Sequence, residues 1–346
     1  MAGIYKRLLP VISAPYFEDF YVGQDFSDVP SVTITDGMAA WHQSLFGDRS
    51  RLALDLPLTA AITGRSQLLA NPALVCNIAI GQSTIPSQRV LGNLFYRGLH
   101  FKAPVFIGDT LTTTTRVVAL KQNTIKAGRA ASGMVGLEIH VVNQETQTVL
   151  HFWRCPMIPC RDPNIDTGQS DDFAVMPEFL SDEVIEQHLP TWDFSAYSAR
   201  YPQASAVKIE AGDHWMVEAA DTVTSAPELV RLTLNLAMTH TDASRSVYGK
   251  RLVYGGHTIA LASKHLTFAL PHLLQILAWY QCDHVGPVFE EDILKTSVRV
   301  NEINAVSSAQ IAKLTVEVFA ERGPEAPAQM ENTKVLVWSL AVLLPG

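Results

Sequence analysis

The chain repeats itself, and that repetition limits the folds open to it more than any other feature. Residues 104–120 read PVFIGDTLTTTTRVVAL and residues 287–303 read PVFEEDILKTSVRVNEI. Pro104, Phe106, Asp109, Leu111 and Val117 fall opposite Pro287, Phe289, Asp292, Leu294 and Val300 at one constant offset. Both copies continue alike. An alternating segment follows (GLEIHVVNQ from Gly136, LTVEVFAER from Leu314), then a turn, then an apolar run ending at Trp153 or Trp338, then a tail with Pro159 or Pro345. Shared order, spacing and terminal tryptophan mark a duplicated structural unit. The period-two alternation between turns predicts a three-stranded antiparallel meander closing each copy.

Helical candidates lie ahead of each meander. Asp36–Gly47 places Met38, Trp41, Leu45 and Phe46 on one face, and Ser225–Met238 carries Pro227 near its start with Leu229, Leu232 and Leu236 recurring. A more apolar helix is predicted from Gly255 (GGHTIALASKHLTFAL), with Asn71–Ser83 as its counterpart. Between the copies, residues 161–203 are rich in Pro, Asp and Ser, the composition of a crossing linker rather than a core. The predicted organisation is α+β: a unit at 1–160, a linker at 161–205 and a second unit at 206–346. A length of 346 residues agrees, since single cores stop growing near about 250–300 residues.

A net charge of -8 gives no overall attraction for nucleic acid or an anionic membrane surface. Cys76, Cys155, Cys160 and Cys282 form no CxxC pair or zinc spacing, so neither a metal site nor a disulfide framework is expected. No apolar run approaches about 18 residues, and the N-terminal segment lacks a signal-peptide pattern, so a soluble cytoplasmic protein is expected. No G-x-G-x-x-G stretch suggests a redox cofactor.

Chemistry-bearing residues concentrate in Leu232–Ser263. His240 follows a helix-like run, and a histidine there can act as general base toward water. Asn235 is a neutral donor and acceptor able to orient that water or a carbonyl. Gly255 and Gly256 mark a strand-to-helix junction whose free N–H groups can receive a developing oxyanion. Each residue has a bland alternative. His240 can be a hydrogen-bonded structural residue, Gly255-Gly256 a tight turn, Tyr254 and His257 packing residues, and Asp242 a cap. The grouping of a base, an amide and an oxyanion-type turn within about 20 residues is what carries the functional reading.

The segments THTD and GKRLVYGGHTIALA resemble the motif region of the MaoC-like, R-specific enoyl-CoA hydratases. The stretch from Asn235 through RLVYGGH, the opening YFEDFYVGQDF and the segment FKAPVFIGDTL resemble the double-hotdog mesaconyl-CoA hydratases within that family. The resemblance implies two hotdog domains, each a curved antiparallel sheet around a long helix. It also implies addition or removal of water at a small enoyl-CoA thioester, with CoA present only as part of the substrate. The family's base histidine falls on His240, while its aspartate position is Asn235 and its Asn-Pro is Ala237-Met238. In the first copy Asp48 occupies the aspartate position and Ala53 the histidine position.

Three accounts follow from these departures. The second copy alone is active, with Asp48 a turn or cap residue; or Asp48 meets His240 across the two copies; or catalysis is lost and the chain only binds an acyl-CoA. A thioesterase on the same fold is a further rival, with Asp48 or Asp242 as the carboxylate to examine. Lys250, Arg251 and Lys264 are the candidates to grip CoA, and homo-oligomerisation stays open.

Overall fold

The computed structural model describes residues 13–126, 128–177, 180–202, 208–307, 309–322 and 332–346. Among them, ten strands form one antiparallel sheet. They are β1 (Val32–Thr33), β2 (Gly92–Phe101), β3 (Thr110–Gln122), β4 (Ser132–Val142), β5 (Thr148–Pro159), β6 (His214–Thr222), β7 (Gln275–His284), β8 (Ile293–Val306), β9 (Ala309–Glu321) and β10 (Asn332–Pro345). Their order is β1-β3-β4-β5-β2-β7-β10-β9-β8-β6. Read outward from the centre, each half has the same succession, so the sequence repeat is a structural one. The halves join where β2 pairs with β7, Tyr96 opposite Cys282 and Leu99 opposite Trp279. That junction removes two strand edges that separate domains would leave open.

The repeated P-V-F-x-x-D stretch builds the same turn twice. Asp109 accepts a hydrogen bond from the Phe106 amide at 2.8 Å, and Asp292 accepts one from the Phe289 amide at 2.9 Å. Conserving a carboxylate three residues after the aromatic thus fixes the entry into β3 and β8. Both meanders lie where the alternation placed them.

The helices are α1 (Asp36–Phe46), α2 (Leu56–Thr63), α3 (Pro72–Gln82), α4 (Asp182–Glu186), α5 (Ser195–Arg200), α6 (Ala226–Leu232) and α7 (Gly255–Ala269). Every residue of α3 is buried, and α7 is buried from Gly256 to Thr267 apart from Lys264. Helices apolar all round belong in a core. These two share the main apolar cluster with inward residues of the strands, among them Leu137, Phe152, Leu314 and Trp338.

Three expectations shift. In α1 the buried residues are His42 and Phe46, while Trp41 is half exposed, so the inward face is rotated from the apolar stripe. Helix α6 stops at Leu232 rather than near Met238: Leu234 takes φ +56°, and the Asn235 side chain accepts from the Ala237 amide at 2.9 Å. A bulky residue in the left-handed region ends a helix, and a short amide side chain stabilises the turn beyond it. The linker does more than cross. Its Ile185, Phe194 and Tyr197 are buried with Leu58, Ile62, Leu277 and Leu343 in a second apolar cluster. Alternate residues of β7 and β10 serve the two clusters, so these central strands are covered on both faces. No helix among the described residues is long and apolar enough to cross a membrane.

Candidate active site

A cavity of about 240 Å³ opens between the two halves. Its walls come from both copies: Ile80 and Thr84 at the end of α3, Tyr96 of β2 and Arg154 of β5 from the first half. Asn235, His240, Tyr254, Gly255, Thr258 and His284 come from the second.

The loop after α6 carries His240 and is held against the first copy. The Leu236 amide donates to Thr84 Oγ1 at 2.9 Å and the Met238 amide to the Gln88 carbonyl at 2.9 Å. His240 Nδ1 donates to the Leu252 carbonyl at 2.8 Å. A carbonyl only accepts, so Nδ1 carries the proton and Nε2 is left with a lone pair. The ring lies 5.6 Å from that of Tyr254. Burial pulls the imidazole pKa down to about 4, the Leu252 hydrogen bond opposing it, so the free base predominates at neutral pH.

Helix α7 begins at the cavity. Its N-cap, Tyr254, provides no side-chain cap, so the first-turn N–H groups lack that partner. The first copy provides the contrast. At the offset aligning Pro104 with Pro287, Asn71 falls on Tyr254 and Pro72 on Gly255. There the Asn71 side chain accepts from the Ala73 amide at 2.9 Å, and proline removes another N–H. The space against that helix start, between Asp48, Asn71, Leu266 and Thr267, is only about 10 Å³, while a separate cavity of about 650 Å³ lined by Asp48, Arg49, Arg51 and Thr267 lies beside it. One helix start is open and its twin is closed. Glycine is required at 255 by close approach, since a Cβ there would sit 2.5 Å from His284 Nε2.

The other residues singled out in the sequence divide by position. Asn235 lines the cavity; its Oδ1 accepts from the Ala237 amide and its NH₂ meets the Tyr254 hydroxyl. Gly256 lies behind the wall, its carbonyl accepting from Asn77 Nδ2 at 3.3 Å. Asp242 caps a short turn through the Ser244 amide at 2.9 Å and is exposed. Asp48 is buried at the closed twin site, its carboxylate accepting from the Ser50 amide at 2.7 Å. Among the described residues no Asp or Glu lines the cavity that contains His240. Lys264 is bound to Asp221 at 2.6 Å, and Arg251 pairs with Glu290. Lys250 sits 3.8 Å over the Phe289 ring and is exposed between the wall residues Tyr248 and Leu252.

His257 points away from the cavity. Its Nε2 donates to the Thr224 carbonyl at 2.9 Å and its ring meets Phe46 edge-on at 4.9 Å. His42 lies close by, and burial lowers the two pKa values to about 4 for His257 and about 3 for His42. In the unfolded chain both rings take up a proton near pH 6.5, while in the fold they stay neutral. Their stabilisation is therefore complete above about pH 6.5 and is lost as pH falls through the folded values, at up to about 1.4 kcal/mol per pH unit for each ring. Thermal scans are expected to show a lower Tm at pH 5 than at pH 7.5. Equal values would mean that the rings are protonated in the fold.

Three wall residues escaped the sequence reading: Tyr96, Arg154 and His284. A visible signal existed for Arg154. Leu150, Phe152 and Arg154 alternate along β5 and all are buried, so an arginine occupies an inward position of an apolar strand. His284 ends β7 with its Nε2 buried and without a partner, and burial pulls its pKa to about 4. The short, apolar β7 run gives no comparable cue.

Two central helices against one fused sheet, with the uncapped start of α7 and His240 lining one cavity between the halves, define a double-hotdog protein. The chain belongs to the MaoC-like double-hotdog hydratase/dehydratase family. It is 32% identical over 296 residues to β-methylmalyl-CoA dehydratase of Chloroflexus aurantiacus, covering 81% of this chain and 80% of that protein. It is 27% identical over 324 residues to mesaconyl-CoA hydratase of Cereibacter sphaeroides, covering 90% of each. Among solved structures, a double-hotdog protein of Mycobacterium tuberculosis superposes with a TM-score of 0.86 at 41% identity, over 95% of this chain and 98% of that one. A MaoC-domain dehydratase from Chloroflexus aurantiacus gives 0.84 at 26% identity, over 97% and 99%. No family model matches the chain.

Proposed function

We propose that this chain adds water to, or removes it from, a small acyl-CoA thioester at the cavity between its halves. His240 is the base and the opening N–H of α7, at Gly255, is the oxyanion site. One observation carries this reading. The open start of α7 and a neutral histidine with a free Nε2 belong to one cavity, and the twin start in the first copy is capped and closed.

In hydration, His240 Nε2 takes a proton from water as its oxygen bonds to the β-carbon. The double-bond electrons shift toward the thioester, and the negative charge gathers on its oxygen. The Gly255 amide, supported by the helix dipole, stabilises that charge; one such donor is worth about 2.7–4 kcal/mol. The imidazolium then returns its proton to the α-carbon. Dehydration runs the same steps backwards. Asn235 positions water or the thioester through its NH₂ group. Lys250 and Arg251, on the loop that also supplies Tyr248 and Leu252, are placed to meet the CoA phosphates.

The names of the curated relatives put mesaconyl-type thioesters first among substrates to try. Incubating the protein with such enoyl-CoAs in D₂O is expected to consume the double bond and leave one deuterium at the α-carbon. Release of free CoA thiol would instead mark a thioesterase. Binding without turnover of any enoyl-CoA would leave only an acyl-CoA binder.

A further inference from the structure

The wall of the cavity contains a charge that the reaction above does not use. Arg154 is 3% exposed, yet no carboxylate among the described residues forms an ion pair with it. Its two hydrogen bonds both leave from Nη2, to the Ser83 carbonyl at 2.6 Å and to Ser87 Oγ at 2.8 Å. Its Nε is buried with no partner. A buried guanidinium cannot shed its charge by losing a proton, and leaving it unpaired is costly. Ser83 follows the last turn of α3, and a helix C-terminus supplies only about half a negative charge. The nearby phenols of Tyr96 and Tyr254 are pushed well above their usual pKa by burial and stay neutral. The cavity therefore carries net positive charge in its wall, and with Nη2 committed to Ser83 and Ser87 the Nη1 donors are left to meet an anion.

We propose that Arg154 holds a carboxylate on the acyl portion of the substrate and so makes the enzyme select thioesters of dicarboxylic acids over neutral chains of equal size. The selecting residue comes from the first half, whose own site is closed, so each copy contributes a different part of one site. The proposal rests on the hydratase reading for its substrate but not for its test.

Saturated thioesters cannot be turned over, so they probe the anion site alone. Titrating the full-length protein with succinyl-CoA, butyryl-CoA and CoA is expected to show succinyl-CoA binding at least about tenfold more tightly than butyryl-CoA. In Arg154→Met the two should agree within about threefold, with butyryl-CoA affinity unchanged; Arg154→Lys, which keeps the charge, should restore part of the difference. No preference in the unaltered protein would overturn the proposal, whether or not the variants fold. So would a preference that survives in Arg154→Met, or a loss of affinity equal for both thioesters. If the preference holds but neither a carboxylated enoyl-CoA nor crotonyl-CoA is hydrated, the reaction assignment fails and the anion site stands.

Discussion

Replacing His240 by alanine is expected to lower kcat/KM for hydration at least about 100-fold while acyl-CoA affinity stays within about threefold. A factor of 100 is about 2.7 kcal/mol of barrier, the lower part of what general acid–base catalysis contributes. The split between rate and binding follows from where the ring sits. Nδ1 is committed to the Leu252 carbonyl, so in the proposed mechanism the substrate would meet only Nε2, whose work is the proton transfer. Losing that one internal hydrogen bond costs about 1 kcal/mol of stability, too little to unfold the chain. Stopped-flow turnover beside equilibrium binding separates the two quantities. Unchanged turnover across a panel of enoyl-CoAs would remove His240 from the mechanism, and an equal fall in both quantities would give it a structural role.

The same ring gives this enzyme an unusual pH response. A histidine of ordinary pKa would impose an acid limb near pH 6.5. Burial holds His240 at about 4, so with His240 as the proposed base kcat/KM should be level from about pH 8 down to about pH 5. The gain in free base has a cost, since a base of low pKa is a weak proton acceptor. A carboxylate brought in by the substrate would raise the pKa in the complex. The acid limb of kcat should then lie above that of kcat/KM for a dicarboxylic thioester.

The duplication was legible because both copies kept the residues that make the same turn, Asp109 and Asp292, and the same inward strand positions. The central helices were legible as long apolar segments with the right opening residues. Strands β2 and β7 were not. Covered on both faces or broken by Gly98, they lack the alternation that marks a half-buried strand. They carry Tyr96 and His284, so that part of the site was hidden with them. His240, Asn235 and Gly255 could be grouped because one continuous segment bears all three. Arg154 lies in the other copy and reaches the cavity only through the β2–β7 junction, which sequence spacing does not encode. The closure of the first site was half legible. Ala53 in place of histidine was plain, but the capping of α3 by Asn71 needed the geometry.

Gly81→Ala is expected to damage both stability and turnover although residue 81 lies outside the cavity wall. A Cβ at Gly81, in the last turn of α3, would sit 1.9 Å from the carbonyl oxygen of Thr233 and 2.8 Å from its carbonyl carbon. Backbone cannot rotate out of the way as a side chain can, so α3 and the segment beyond α6 must part. Overpacking of this kind costs about 1–3 kcal/mol, sometimes more, which a lowered Tm will report. The displaced segment is the one that continues through Asn235 and the Leu236–Thr84 hydrogen bond to His240. A misplacement of about 1 Å can cost about 100-fold in rate, so turnover should fall well beyond what the unfolded fraction explains. Gly37→Ala is the control. It lies on the exposed face of α1 with its nearest new contact at 3.7 Å, and alanine there should raise stability by up to about 1 kcal/mol through helix propensity. If Gly81→Ala melted and turned over like Gly37→Ala, the loop bearing the base would not depend on that contact for its place.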